Sequence, residues 1–174
     1  MDLLTLAVAC GHLVHPATTL RVIDIESRGH LYAIHDNTSG AQYDPANLPQ
    51  AAAIARSLIS LGHNLDLGLM QINEEVWLRP TGFPLERALE GCTNIRLGTT
   101  ILSANYAQAL ARSTDGTDAL LRALSLYNSG SETRSLTYAV RVLTGEDSPR
   151  EHVGRTAGSA ERARLAPVGF STAP

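Results

Sequence analysis

The stretch Thr18-Thr19-Leu20-Arg21-Val22-Ile23-Asp24-Ile25-Glu26-Ser27 decides how this chain is read, because it carries an acid where a helical pattern asks for an apolar residue. Glu26 falls three residues after Ile23 and four after Val22, and helical side chains at that spacing share a face. Pro16 suits the opening of this helix and Gly29 its stop. A carboxyl group on an inward face is disfavoured in its charged form, the condition under which one side chain donates a proton and later takes it back. The plain alternative is a glutamate in a last helical turn, tipped into water just before Gly29. Asp24, three residues from Arg21 and four from Arg28, reads as surface pairing on another face.

On the N-terminal side, a helix is expected over much of Leu3 to Leu13. On the C-terminal side, Leu31 to Ile34 reads as extended and Asp36 to Pro45 as a loop. Asn47 is placed to cap a helix with Pro49 in its first turn and a stripe of Ala51, Ile54, Ala55 and Leu58, closed by Gly62. Between Asn64 and Asn73, Leu65, Leu67, Leu69 and Ile72 fit neither period and Gly68 interrupts them, which reads as a turn or short strand leading into a short helix. Pro80, Gly82 and Pro84 mark a loop, and Leu85 to Ser113 reads as helix broken near Gly91 or Gly98. Thr117 or Asp118 is expected to cap a helix carrying Leu120, Leu124 and Tyr127, ended by Ser129-Gly130. Ser131 is expected to cap a last one with Leu136, Ala139, Val140 and Leu143. The expected organisation is one domain over residues 1–144, then a disordered or loosely attached tail over 145–174, where apolar residues lose their period.

The 174 residues suffice for one domain with a real core. Sparse aromatics, at 5%, and frequent Ala and Leu favour a mainly α class with at most a minor β segment. All 14 basic residues are Arg, which excludes a P-loop or a Schiff-base lysine, and the net charge of −3 disfavours nucleic acid as a partner. No run approaches the roughly 20 apolar residues of a membrane span, so no transmembrane segment is expected. Leu3 to Cys10 is apolar but follows Asp2 and is short for a secretory signal, so an export signal is not evident. Cys10 and Cys92 are either a long-range disulfide or two small core residues. His30, His35 and His63 match no ligand spacing, so no metal is expected. Trp77 reads as a core residue or hydrophobic anchor.

Three separated pieces carry the chemistry: Ile25-Glu26-Ser27, Gly68-Leu69-Met70-Gln71-Ile72-Asn73 and Leu126-Tyr127-Asn128-Ser129-Gly130. In this order they resemble the lytic transglycosylases of the lysozyme-like superfamily, with their Glu-Ser pair, Gly-Leu-Met-Gln segment and Tyr-Asn-x-Gly segment. Leu31-Tyr32-Ala33-Ile34-His35-Asp36-Asn37, the segment ending Leu61-Gly62-His63-Asn64, and the positions of Cys10 and Cys92 resemble the branch that accompanies type IV secretion systems. The resemblance covers about Cys10 to Leu143.

The resemblance implies a lysozyme-like fold and a peptidoglycan-cleaving enzyme working in the periplasm without a cofactor, with glycan strands as substrate and type IV secretion subunits as partners; the alternatives are a hydrolytic lysozyme-type muramidase and a glycan-binding scaffold of a secretion system without turnover. It implies that Glu26 protonates the oxygen between N-acetylmuramic acid and N-acetylglucosamine, then removes the proton of the muramic acid 6-hydroxyl, which closes a 1,6-anhydro ring. Because that nucleophile belongs to the substrate, a second carboxylate is dispensable. Asp66 is the nearest candidate for one, against a loop aspartate bonding its own backbone. Tyr127 is expected to face Glu26, Asn128 to position the site, and Ser27 to follow the acid into the groove. Gly68 is expected to allow close approach, with Leu69, Met70 and Gln71 on the substrate-binding segment and Met70 and Gln71 lining the cleft, core filling being the alternative for Met70. In the periplasm Cys10 and Cys92 would be a disulfide tying the first helix to the long one.

Overall fold

The structure is a computed structural model in which residues 2–145 are described. The expected tail lies outside these residues except for Gly145, which caps the last helix. Two helices open the chain, α1 (Leu3–Cys10) and α2 (Pro16–Ser27). The first occupies most of the stretch expected, and Gly11 ends it at Cys10. Pro16 opens α2 as read, with His15 Nδ1 accepting from Ala17 N at 3.2 Å. Arg28 closes it in the left-handed region at φ 54°, followed by Gly29.

A small antiparallel sheet follows. Its strands β1 (Ile34–Asp36), β2 (Gln42–Tyr43), β3 (Leu65–Leu67) and β4 (Ile72–Asn73) lie in the order β2-β1-β3-β4. The Asp36–Pro45 loop is thus a hairpin, and the irregular 64–73 segment is a second one. Ile34 pairs with Leu67 and Leu67 with Ile72, all three 1% exposed or less, so one face of the sheet belongs to the core. The opposite face carries His35, Asp66 and Asn73 in one cross-strand row.

Between β2 and β3 the chain makes α3 (Leu48–Ser60), capped by Asn47 Oδ1 accepting from Gln50 N at 3.0 Å. After β4 comes a π-helical turn (Glu74–Leu78), which Asn73 Oδ1 caps by accepting from Val76 N, and a 3₁₀ turn (Arg79–Thr81). The remaining helices are α4 (Leu85–Leu89), α5 (Gly91–Leu110), α6 (Gly116–Ser129) and α7 (Leu136–Thr144). The helical run breaks at Glu90, next to Gly91, and continues through Gly98.

Three local readings are corrected. The cap of α6 is Asp115, two residues before Thr117 and three before Asp118, accepting from Thr117 N and Asp118 N at 2.8 and 2.9 Å. Residues 131–135 form a turn, so α7 begins after Ser135 and buries Tyr138, Ala139 and Val142 while Val140 stays exposed. Arg21, read as a surface partner of Asp24, instead donates Nη1 to Leu143 O at 2.6 Å and holds α2 against the end of α7.

The core lies where α5 packs along α1, α4 and α6. Val22, Ile23, Leu65, Leu69, Met70, Ile95, Leu102 and Leu124 are among its fully buried side chains, and Trp77, at 7% exposed, joins it. A disulfide joins Cys10 of α1 to Cys92 of α5.

Candidate active site

Glu26 is the penultimate residue of α2 and is half-buried. The two turns that follow lead directly to the sheet. His30 N donates to Ser27 O at 3.0 Å, and Ala33 N to His30 O at 3.3 Å. The Ala33 carbonyl then accepts from Gly68 N at 2.8 Å and from Gln71 Nε2 at 3.3 Å. Next along the loop, Met70 O accepts from the Tyr127 hydroxyl at 2.7 Å. Hydrogen bonds therefore connect all three pieces of the constellation: the acid's helix end, the Gly68–Gln71 loop and the end of α6.

This loop is strained and held. Gly68 sits at φ 74°, and a Cβ there would run into the Asn94 amide. Gln71 takes φ 48°, a left-handed conformation that few non-glycine residues adopt without surrounding support. The support comes from Asn94, fully buried on α5. Its Oδ1 accepts from Met70 N at 2.8 Å, and its Nδ2 donates to Leu67 O and Ala88 O, both at 2.8 Å. Sequence reading missed Asn94. The available signal was an amide one helical turn before Gly98, on a stripe continued by Ile101 and Leu102.

The expected site residues divide by what their side chains do. Tyr127 and Asn128 are half-buried at the end of α6, which Gly130 terminates at φ 71°. Gln71 is 8% exposed, and its Nε2 donates to Gly68 O and Ala33 O. Both amide hydrogens are then used, which leaves Oε1 as the group it offers outward, an acceptor only. Ser27, expected in the groove, is turned back: its hydroxyl donates to Ile23 O at 3.0 Å and it is 7% exposed. Leu69 and Met70 are fully buried, so neither lines a cleft with its side chain. Met70 packs on Gly98, where a Cβ would stand 2.5 Å from its sulfur, and what it presents to Tyr127 is its carbonyl.

Asp66 is a strand residue, 4% exposed, and accepts from Asn73 Nδ2 at 2.8 Å. The same nitrogen donates to Asn64 Oδ1 at 2.6 Å, and Asn64 Nδ2 donates to Glu75 Oε2 at 2.6 Å. His35, Asp66 and Asn73 each stand two residues from a member of the Ala33, Gly68 and Gln71 group, a reach of at most roughly 7 Å along each chain.

Behind this row, Asp36 is fully buried. Burial pushes its carboxyl up, but donors outweigh burial: the Ser39 hydroxyl, His63 at 2.6 Å, and the Thr38 and Ser39 N–H groups hold it down at about 2. His63 thus serves as a hydrogen-bond partner of the buried Asp36. Among the described residues no group of three or more His, Cys, Asp or Glu side chains is arranged to hold a metal ion.

Residues 6–138 match the family model described as the transglycosylase SLT domain. The chain is 34% identical over 137 residues to Protein virB1 of Agrobacterium fabrum (strain C58 / ATCC 33970), covering 78% of this chain and 55% of that protein. It is 31% identical over 152 residues to the type IV secretion system protein virB1 of Brucella abortus biovar 1 (strain 9-941), covering 83% and 63%. The chain thus spans between about half and two thirds of the length of the curated relatives it matches. No solved structure matches it significantly.

Proposed function

This chain belongs to the transglycosylase SLT family, and from that premise we propose that it is a peptidoglycan lytic transglycosylase that opens the wall for assembly of a type IV secretion system. The observation that carries the reading is the hydrogen-bonded path from the Glu26 helix end through Ala33 to Gln71, Met70 and Tyr127. Glu26, protonated, gives its proton to the oxygen linking N-acetylmuramic acid to N-acetylglucosamine, and the bond from that oxygen to the anomeric carbon breaks. The carboxylate then takes the proton of the muramic acid 6-hydroxyl as its oxygen bonds to the anomeric carbon. No water enters, and Glu26 ends as it began, protonated.

The one hydroxyl proton of Tyr127 lies on the Met70 carbonyl, so towards a carboxyl this side chain acts as an acceptor. Gln71 offers Oε1 to a hydroxyl or amide N–H of the glycan, and Asn128 adds a side-chain amide beside Tyr127. The Cys10–Cys92 bond suits the oxidising periplasm, where we place the protein.

A second reading, hydrolysis by a lysozyme-type muramidase, is favoured by Asp66. Its carboxyl, held by Asn73 Nδ2 beside the site, is placed as a second acid of the kind that supports a glycosyl cation or positions a water. The test is digestion of purified peptidoglycan by wild type and Glu26→Gln, with the masses and reducing ends of the muropeptides read out. Anhydro ends from wild type alone support the transglycosylase. Products heavier by one water establish hydrolysis, and unchanged turnover by the variant removes Glu26 from the mechanism.

A further inference from the structure

A cavity of about 420 Å³ opens between α3, the π-helical turn, the 3₁₀ turn and α4. Its lining includes no residue of α2, of the Gly68–Gln71 loop or of α6, so it is separate from the site above. Ile59, Leu78, Phe83 and Leu85 supply apolar walls, and two ion pairs stand among them. Arg56 pairs with Glu86, and Arg79 grips Glu74 with Nε at 3.0 Å and Nη2 at 2.7 Å.

The charges are not presented equally. The side chains of Arg56 and Arg79 are 61% and 51% exposed, whereas their partners Glu86 and Glu74 are 40% and 8% exposed. Glu74 is consumed by Arg79, so the mouth offers guanidinium groups more than carboxylates. A guanidinium has five donors, and one carboxylate uses two of them. Leu61, which follows the lining residue Ser60 in sequence, is 71% exposed, the most of any large hydrophobic among the described residues.

We propose that this cavity docks a short segment of a protein partner, with one large apolar side chain between Ile59, Leu78, Phe83 and Leu85 and a neighbouring Asp or Glu on Arg56 and Arg79. The volume falls in the range of ligand pockets, and an apolar anchor rimmed by arginine is the composition of interface hot spots. A glycan fits poorly. Both carboxylates in the lining are engaged by arginines, and the one hydroxyl there, on Ser60, already donates to Ser57 O at 2.7 Å. The proposal does not depend on the cleavage reading, since it concerns other residues.

The test is an NMR titration of the isotope-labelled protein with acetyl-Gly-Asp-Phe-Asp-Gly-amide. The expected result is shifts at Ile59, Leu78, Phe83 and Leu85, with binding weakened at least about tenfold by Lys in place of both Asp, by Ala in place of Phe, and by Arg56→Gln or the cavity-filling Ser60→Trp in the protein. Wall cleavage by Arg56→Gln should match wild type. Absent shifts, binding indifferent to the peptide's charge, or shifts mapping elsewhere would each overturn the proposal. So would a muramyl tetrapeptide binding this cavity more tightly than the acidic peptide, which would assign it to the substrate's stem.

Discussion

Breaking the Cys10–Cys92 bond is the perturbation whose size follows most directly from the fold. The bond joins residues 82 apart in sequence and holds α1 against α5. In the chain-entropy account, a closed loop of that length removes about 15 cal/mol/K from the unfolded chain, or about 4.5 kcal/mol at 25 °C. Cys10 is also 3% exposed, so shortening it leaves a small void costing about 1 kcal/mol more. The double variant Cys10→Ala, Cys92→Ala is therefore expected to lose about 5 kcal/mol. That is a large part of the 5–15 kcal/mol typical of a whole domain, and it corresponds to a melting point lower by roughly 10–20 °C. Urea unfolding followed by circular dichroism, on wild type with and without reductant and on the variant, gives both the midpoint and the slope. The slope should steepen without the cross-link, because the released chain exposes more surface when unfolded. A loss below about 1 kcal/mol, or a midpoint that reductant leaves unmoved, would refute the reasoning and mean that packing alone holds α1.

Gly68→Ala must place a side chain at φ 74° against the Asn94 amide; a stability loss of about 2 kcal/mol or more and at least a tenfold fall in muropeptide release are expected, read by urea midpoint and product chromatography. Tyr127→Phe removes one hydrogen bond to Met70 O, which should cost about 1 kcal/mol in thermal unfolding yet lower turnover ten- to a hundredfold, with the loss in kcat rather than KM. The Asp36 carboxyl, held at about 2 against 3.8 for the free side chain, contributes stability that is complete above about pH 4 and lost as pH falls towards 2. Acid titration of unfolding free energy should show a drop of about 2 kcal/mol across that window in wild type and a flatter profile in Asp36→Asn. An Asp36→Asn profile as steep as wild type would move the acid sensitivity to another group.

The helices and their order were legible because they follow local rules. Pro16, Asn47 and Gly130 act where a one-dimensional reading puts them, and a stripe such as Ala51 and Ala55 is buried as its spacing requires. The failures are just as local in origin. Asp115 lies next to Thr117 and Asp118 among competing caps, and which carboxylate or hydroxyl turns inward depends on the helix axis that α5 imposes on α6. The sheet was less legible because its strands are two or three residues long, too short to show alternation. Their pairing is set by where Asn94 and Ala33 hold the loop between β3 and β4.

The candidate site exposes a difference between knowing which residues matter and knowing which atoms do. The motif Gly68-Leu69-Met70-Gln71 reads as placing Met70 and Gln71 on the cleft, with core filling the alternative for Met70; Leu69 and Met70 turn wholly into the core and Gln71 uses its amide nitrogen on backbone. In this loop the side chains fix the backbone. Met70 seats on Gly98, the Asn94 amide reads the Met70 N–H, and the outcome is a Met70 carbonyl aimed at the Tyr127 hydroxyl. A carbonyl accepts only, so it settles the proton of Tyr127 and through it the role Tyr127 takes beside a carboxyl. Replacing Met70 by Leu keeps that carbonyl in place and should retain most activity. Asn94→Ala removes one acceptor and two donors, freeing Met70 N–H and two buried carbonyls, and it should abolish cleavage while Glu26 and Tyr127 remain intact. If Asn94→Ala cleaves the wall as fast as wild type, the loop's backbone is not what orients the phenol.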